Sequence, residues 1–216
     1  MTYSVKEAFY SLQGEGAHTG RPAVFCRFTG CNLWSGREVD RISAVCSFCD
    51  TDFIGTDGQH GGKFKTAECL VEHILALWPP GEAHRYVIFT GGEPLLQLDA
   101  ALIDAMHEAG FEVGVETNGT LPAPPGVDWL CVSPKGTADV VIKECDELKL
   151  VYPQADATPE RFTHILAKHY YLSPMNPPRA DLISPQSNNV RATIRYCLAH
   201  PKWRLTLQTH KILGVD

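Results

Sequence analysis

Short apolar runs alternate along this chain with segments of helical periodicity, and that alternation limits the available folds more than any other feature. The runs at 22–28, 85–90, 111–117, 129–133, 147–151, 169–173 and 203–208 read as strands, and 66–78, 95–109, 159–167 and 188–199 as helices. Leu70, Ile74 and Leu77 recur at helical spacing behind Thr66, a suitable N-cap, and Gly110 stands where the second helix must stop. Repeated strand-helix units build a parallel sheet. A closed eight-unit barrel takes about 250 residues, and several of these strands follow one another with too little chain between them for a helix. The expected fold is α/β: an incomplete, TIM-like barrel of parallel strands with few helices. In such folds reactive groups gather at the carboxyl ends of strands, where 90–94, 116–119 and 133–135 all fall.

A chain of 216 residues with 44% hydrophobic content can bury one sizeable core, and no Ser/Gly-rich or charged linker divides it, so 1–216 is read as a single domain. Nineteen basic against 25 acidic residues leave a formal charge of −6, which argues against nucleic acid as the partner and favours a small molecule. Eight cysteines could signal disulfides, but Met1-Thr2-Tyr3-Ser4-Val5-Lys6 lacks the apolar run of a secretion signal, so a reducing cytoplasm is expected. No stretch approaches the roughly 18 to 20 consecutive apolar residues of a membrane span, so no membrane association is expected.

Cys31, Cys46 and Cys49 carry the spacing C-x14-C-x2-C. Three grouped thiolates can hold an iron-sulfur cluster by three of its irons and leave the fourth for a ligand, whereas an electron-transfer cluster takes four cysteines. The rival is a structural zinc site that recruits Cys26, five residues before Cys31. Side-chain alternation along 23–28 puts Val24, Cys26 and Phe28 on one face and Phe25 with Arg27 on the other. Cys26 should therefore point toward the helices and Arg27 toward the barrel interior. Cys69, Cys131, Cys145 and Cys197 read as small buried hydrophobes, and the histidines, His210 excepted, show no ligand spacing.

Taken with Gly91-Gly92-Glu93-Pro94, the three cysteines resemble the radical S-adenosylmethionine superfamily. The common spacing there is C-x3-C-x2-C, so the 14-residue gap points to a subgroup. Further motifs are Ser11-Leu12-Gln13-Gly14-Glu15-Gly16, Arg27, Cys49-Asp50-Thr51, Glu116-Thr117-Asn118-Gly119, Ser133-Pro134-Lys135 and Gln208-Thr209-His210-Lys211. With these the chain resembles, over nearly its whole length, the 7-carboxy-7-deazaguanine synthases of queuosine biosynthesis. The resemblance implies a radical SAM core with a cluster loop at about 31–65 and a C-terminal tail, 209–216, that closes over the substrate. It implies a 4Fe-4S cluster on Cys31, Cys46 and Cys49, S-adenosylmethionine, and magnesium on Thr51 or Asp50. The reaction implied is a carbon-nitrogen lyase conversion of 6-carboxy-5,6,7,8-tetrahydropterin to 7-carboxy-7-deazaguanine, by hydrogen abstraction and radical ring contraction with loss of ammonia. No side chain is assigned as acid or base. An electron donor such as flavodoxin or ferredoxin, and a homodimer, are implied as well.

Cofactor contacts implied are Phe48 against adenine, Gly91 and Gly92 with Glu93 around an ammonium group, Glu116 and Asn118 at ribose hydroxyls, and Ser133 with Lys135 at a carboxylate. Each has a plainer reading: an aromatic loop anchor, a Gly-Gly-Glu-Pro turn, an Asn-Gly turn, a solvated lysine. Substrate contacts implied are Leu12, Gln13, Gly14, Glu15, Arg27, Thr90, His210 and Asp216. Among these Glu15 is a planar acceptor for N–H groups and Arg27 a cation for an acid. His210 continues an alternating pattern through Thr206 and Gln208, the residue basis for expecting an ordered tail, although a frayed end is the default. The chain departs from the family at Ser173, where a glutamine is expected, and the glycine-rich stretch 55–63 reads as a cover or an insertion.

Two other functions compete: a glycyl-radical activase, which needs an open protein-docking face, and a non-catalytic module held by zinc. Replacing Cys31, Cys46 or Cys49 by alanine should abolish cluster retention and turnover, whereas Cys26→Ala should spare both. Iron and sulfide analysis after anaerobic reconstitution checks this, and a cluster-free Cys26 variant would restore the four-cysteine zinc reading.

Overall fold

The computed structural model describes residues 2–176 and 187–215, and in it nine strands form one sheet. In chain order they are β1 (Tyr3–Leu12), β2 (Pro22–Phe28), β3 (Gly62–Phe64), β4 (Arg85–Gly91), β5 (Phe111–Thr117), β6 (Trp129–Val132), β7 (Glu144–Tyr152), β8 (Leu166–Pro174) and β9 (Arg204–Leu205). The helices are α1 (Ala67–Leu75), α2 (Ala100–Glu108), α3 (Asn188–Ala199) and α4 (Thr209–Leu213). The spatial order is β3-β1-β2-β4-β5-β6-β7-β8-β9, with β1 antiparallel to both its neighbours and every pair from β2 onward parallel. The sheet ends at β3 and β9 without closing: a partial barrel.

Alternation along each strand sorts the residues onto two faces. Val24, Cys26 and Phe28 of β2, Val87 and Phe89 of β4, and Phe111, Val113 and Val115 of β5 pack outward into a core shared with Leu70 and Ile74 of α1 and Leu102, Ile103 and Met106 of α2. Each such side chain, fully buried, contributes about 1.5–3 kcal/mol of transfer free energy. A second core gathers Val132, Leu148, Leu150 and Leu172 with Phe162, Ile165 and Trp203. On the inner face the floor is closed by Ala23, Phe25, Tyr86 and Ile88, and Gly114 is side-chain-free because the Tyr86 hydroxyl crosses its position. Above that floor the inner face turns polar.

The helix starts follow the capping rules. Thr66 accepts from the Cys69 amide at 3.3 Å and Asp99 from the Leu102 amide at 3.0 Å. Asp99 also accepts from the Tyr3 hydroxyl at 2.8 Å, which fastens α2 to β1.

Several expectations are corrected. The sequence assigns no element before residue 22, yet 3–12 is the long strand β1, whose alternation is broken by a bulge between Val5 and Glu7. The expected helix 95–109 begins only at Ala100, because Gln97 is spent on the Ser4 and Thr29 backbones and Asp99 supplies the cap. The expected helix 159–167 is a single 3-10 turn, Pro159–Phe162, after which β8 starts at Leu166. There the Leu166 amide is taken by the Lys143 carbonyl at 2.8 Å and pairing with β7 prevails. The strand at 203–208 contracts to two residues, Thr206 turns its hydroxyl to the Gly16 amide at 2.8 Å, and His210 lies in α4 rather than continuing an alternation. Cys69 is exposed on α1 rather than buried. The stretch 55–63 clips onto β1: the Gly58 amide donates to the Lys6 carbonyl at 3.0 Å, and the Gln59 carbonyl accepts from the Ala8 amide at 2.8 Å.

One carboxylate ties the upper ends of β4 and β5 together. Glu93, 0% exposed, accepts from the Thr117 hydroxyl at 2.7 Å, the Asn118 amide at 2.8 Å and the Leu95 amide at 3.0 Å. Burial pushes its carboxyl up, against the downward pull of those three donors. Gln would present an amide nitrogen to donors that need acceptors. Glu93→Gln should therefore cost about 1–3 kcal/mol in a urea titration, and it should weaken ligand binding at the neighbouring Gly91-Gly92 edge; an unchanged midpoint would remove Glu93 from this role.

Candidate active site

Two adjoining chambers open at the carboxyl ends of the parallel strands. The first, about 230 Å³, is lined by Cys31, Cys46, Phe48 and Cys49 from the long loop after β2, by Gly91 and Gly92 after β4, and by Asn118, Ser133, Lys135 and Ser173. The second, about 350 Å³, is lined by Leu12 at the end of β1, by Gln13 and Gly14 after it, by Arg27 of β2, and by His210 of α4. Glu15, Asp50, Thr51, Thr90, Glu116, Lys149 and Gln208 line both and form the wall between them. The site residues expected from the sequence thus come together with two exceptions. Glu93 lies buried beneath the first chamber, and Asp216 falls outside the described residues.

The glycine edge is fixed by close approach. Gly91 has φ +135° and lies against the Phe28 backbone, and Gly92 lies against the Gly30 carbonyl and the Cys31 side chain, leaving no room for a Cβ at either. The Glu93 amide closes this contact on the Gly30 carbonyl at 2.9 Å. Asn118 donates through Nδ2 to Asn32 Oδ1 at 2.9 Å, so the end of β5 also holds the residue after Cys31. Lys135 folds back on its own loop, with Nζ 2.8 Å from the Ser133 carbonyl.

The three thiols suit an iron-sulfur cluster as a donor set. Cys46 donates toward Cys49, which draws the Cys49 thiol down to about 6 and pushes the Cys46 thiol up. Among the described residues no three His, Cys, Asp or Glu side chains converge on one ion-sized point. Cys31, Cys46 and Cys49 all line the first chamber, which has room beside them for a group larger than a single ion. Cys26 is fully buried in the outer core, on the face opposite Arg27, so it cannot join them.

The second chamber is organised by charge. Arg27 donates through Nε to Glu7 at 2.7 Å. Glu15 reaches Lys149 Nζ at 2.9 Å and accepts from the Ser173 hydroxyl at 3.2 Å. Burial works to raise the Glu15 carboxyl, but the Lys149 ammonium outweighs it and holds it low. For Lys149, burial opposes the charge and the facing acids restore it, leaving its pKa well above the ordinary lysine value. The tail is docked: the Thr209 amide and hydroxyl both donate to the Gly14 carbonyl, at 3.0 and 2.7 Å, and the His210 ring fills the space beside Gly14. Lys211 pairs with Asp50 at 2.8 Å, and its bonds hold the Asp50 carboxyl low against the effect of burial.

Sequence reasoning missed Lys149, Glu147 and Glu7. The signal was present for the first two: charges at 147 and 149 alternate with Leu148 and Leu150 in a strand otherwise fit for burial on both faces, and such charges must point into something polar.

Comparison with known proteins identifies the family. The family model "Radical SAM superfamily" matches residues 41–169. The chain is 60% identical over 215 residues to a 7-carboxy-7-deazaguanine synthase of Bordetella pertussis, and 58% identical over 215 residues to one of Caulobacter vibrioides, each alignment covering 100% of both chains. A crystal structure of QueE from Escherichia coli superposes with a TM-score of 0.69 at 28% identity, covering 96% of this chain and 94% of that one. With its cysteine-lined chamber, its partial barrel and full-length relatives of one name, this chain belongs to the 7-carboxy-7-deazaguanine synthase family of the radical SAM superfamily.

Proposed function

We propose that the chain converts 6-carboxy-5,6,7,8-tetrahydropterin to 7-carboxy-7-deazaguanine with loss of ammonia. The observation that carries this reading is the pair of chambers with a shared wall, one bordered by three thiols and a side-chain-free glycine edge, the other by Glu15 and Arg27. A 4Fe-4S cluster with S-adenosylmethionine, when bound, supplies one-electron chemistry and a hydrogen-abstracting radical that no amino-acid side chain can furnish.

The protein's own residues bind and orient. Cys31, Cys46 and Cys49 hold the cluster. The Gly91-Gly92 edge offers backbone to an ammonium group, Glu116 and Asn118 face ribose hydroxyls, Lys135 with Ser133 faces a carboxylate, and Phe48 packs on adenine. In the second chamber Glu15 accepts from the pterin N–H edge and Arg27 pairs with the substrate carboxylate, its guanidinium oriented by Glu7. Gln13 and Thr90 complete the walls, and α4 covers the opening with His210, a position supported by the two bonds from Thr209 to Gly14. Covering the chamber keeps water from a reactive intermediate.

Magnesium belongs to the same proposal. Thr51 lies on the shared wall and offers a hydroxyl oxygen, and one or two protein oxygens suffice for an ion that keeps most of its waters. Asp50, already paired with Lys211, is the second choice. A flavodoxin- or ferredoxin-type electron donor, a homodimer and a cytoplasmic setting are proposed from the family resemblance; among the described residues no helix is long and apolar enough to cross a membrane.

Reconstituted protein incubated with S-adenosylmethionine, a strong reductant and the tetrahydropterin should yield a product of the mass of 7-carboxy-7-deazaguanine, and its absence would sink the assignment. Arg27→Ala should raise the substrate KM by on the order of tenfold or more, as loss of a charge-assisted pair does, with reductive cleavage of S-adenosylmethionine little changed. Equal losses in both would contradict the role given to Arg27.

A further inference from the structure

Lys149 is the basic side chain on the wall between the chambers, and it is 6% exposed. Its Nζ stands 2.9 Å from Glu15 Oε2 and 3.0 Å from Glu116 Oε2. The three residues arrive from separate parts of the fold: Glu15 from the turn after β1, Glu116 from β5, Lys149 from β7. Among the described residues the Ser173 hydroxyl also donates to Glu15 at 3.2 Å and Gln13 Nε2 to Glu116 at 3.2 Å. Neither of those neutral donors can offset a buried negative charge. Two carboxylates meeting on one ammonium in a confined, partly dry space stay ionised and oriented while the ammonium remains; without it they repel, and one turns away or takes up a proton.

We propose that Lys149 is a positioning residue that couples the two chambers, fixing on one ammonium both the acceptor that faces the pterin and the acceptor that faces the ribose. The proposal rests on the roles given above to Glu15 and Glu116. Its distinctive consequence is that a single side chain, acting through its two partners, governs affinity for both ligands. A residue supporting the fold alone would lower stability without a pattern tied to those two carboxylates.

The test is equilibrium binding of two unreactive ligands, oxidised 6-carboxypterin and S-adenosylhomocysteine, to the reconstituted enzyme and to Lys149→Met, Lys149→Arg, Glu15→Gln, Glu116→Gln and the doubles with Lys149→Met. Lys149→Met should weaken both ligands by on the order of tenfold or more, the scale expected when one partner of a buried pair is removed, while Lys149→Arg, which keeps the charge, should recover much of the loss. In the Glu15→Gln/Lys149→Met double the pterin should bind no worse than to the weaker single variant, and the Glu116→Gln/Lys149→Met double should behave likewise toward S-adenosylhomocysteine. Turnover should show the substrate KM rising more than kcat falls. Should Lys149→Met fail to fold, the doubles, each with one buried acid fewer, and Lys149→Arg carry the comparison. Glu15→Gln and Glu116→Gln both weakening their ligands while Lys149→Met leaves binding intact would overturn this inference alone, and so would losses that multiply in the doubles. Silent Glu15→Gln and Glu116→Gln variants would instead overturn the roles of those carboxylates and the coupling with them.

Discussion

A parallel sheet has two faces to satisfy and no edge-on solvent to help, and in this chain the inner face is satisfied differently at its two ends. The lower end is filled by rings. Phe25 and Tyr86 meet there with His18, whose Nδ1 lies 3.2 Å from the Tyr86 hydroxyl and whose ring stands 4.0 Å from that of Trp129. The Arg21 guanidinium sits over the Tyr86 ring at 3.8 Å, a contact worth about 0.5–2 kcal/mol. A filled floor means that the same strands, continued upward, can end in charged and polar side chains without opening a water channel through the barrel. The partial closure of the sheet serves this arrangement, because the turn after β1 reaches across the interior. The Gly16 amide bonds Thr206 and the Ala17 amide bonds Glu147, each at 2.8 Å.

The polar upper layer carries more acid than base. Glu15, Glu116 and Glu147 face Lys149, and burial raises the Glu147 carboxyl even though the Ala17 amide donates to it. Buried ionic groups of this kind are weak stabilisers, since desolvation offsets most of their attraction. They are better explained by what they orient than by what they add to folding. The outer cores, with more than a dozen fully buried aliphatic and aromatic side chains, supply the stability that this interior draws on.

Much of this was legible in the sequence because strand alternation and motif position depend on local spacing. The Thr66 cap, the Gly110 stop, the outward Cys26 and the inward Arg27 needed nothing more than residue parity and capping chemistry. What escaped was set by contacts remote in the chain. β1 is hidden by its bulge and by Lys6 and Glu7, charges that look like surface until Asp52, Asp57 and Arg27 are placed beside them. The segment 159–167 reads as a helix in the sequence, but Phe162 and Ile165 plug the second core and the chain turns directly into β8. Ser173 stands where the family pattern leads one to expect glutamine, and its hydroxyl still reaches Glu15.

The 14 residues between Cys31 and Cys46 can be understood by asking what a long insertion must do if its ends are to meet. Closing a loop costs little more as it lengthens, so the difficulty lies in orienting the two ends. Here the insertion braces itself. Trp34 packs edge-on against Phe53 at 5.6 Å, and the Arg41 guanidinium lies over the Trp34 ring at 4.1 Å. From there Arg41 Nη1 donates to the carbonyls of Ser47 and Cys49, at 3.0 and 2.8 Å. One arginine thus links the ring behind the first thiol to the backbone carrying the last, so a long gap delivers its cysteines to one chamber as a short loop would. The cost is visible outside, where Val39 and Ile42 stand 79% and 96% exposed on a 3-10 segment with no buried residue. That segment contributes to the site through the grip of Arg41 rather than through any packing of its own.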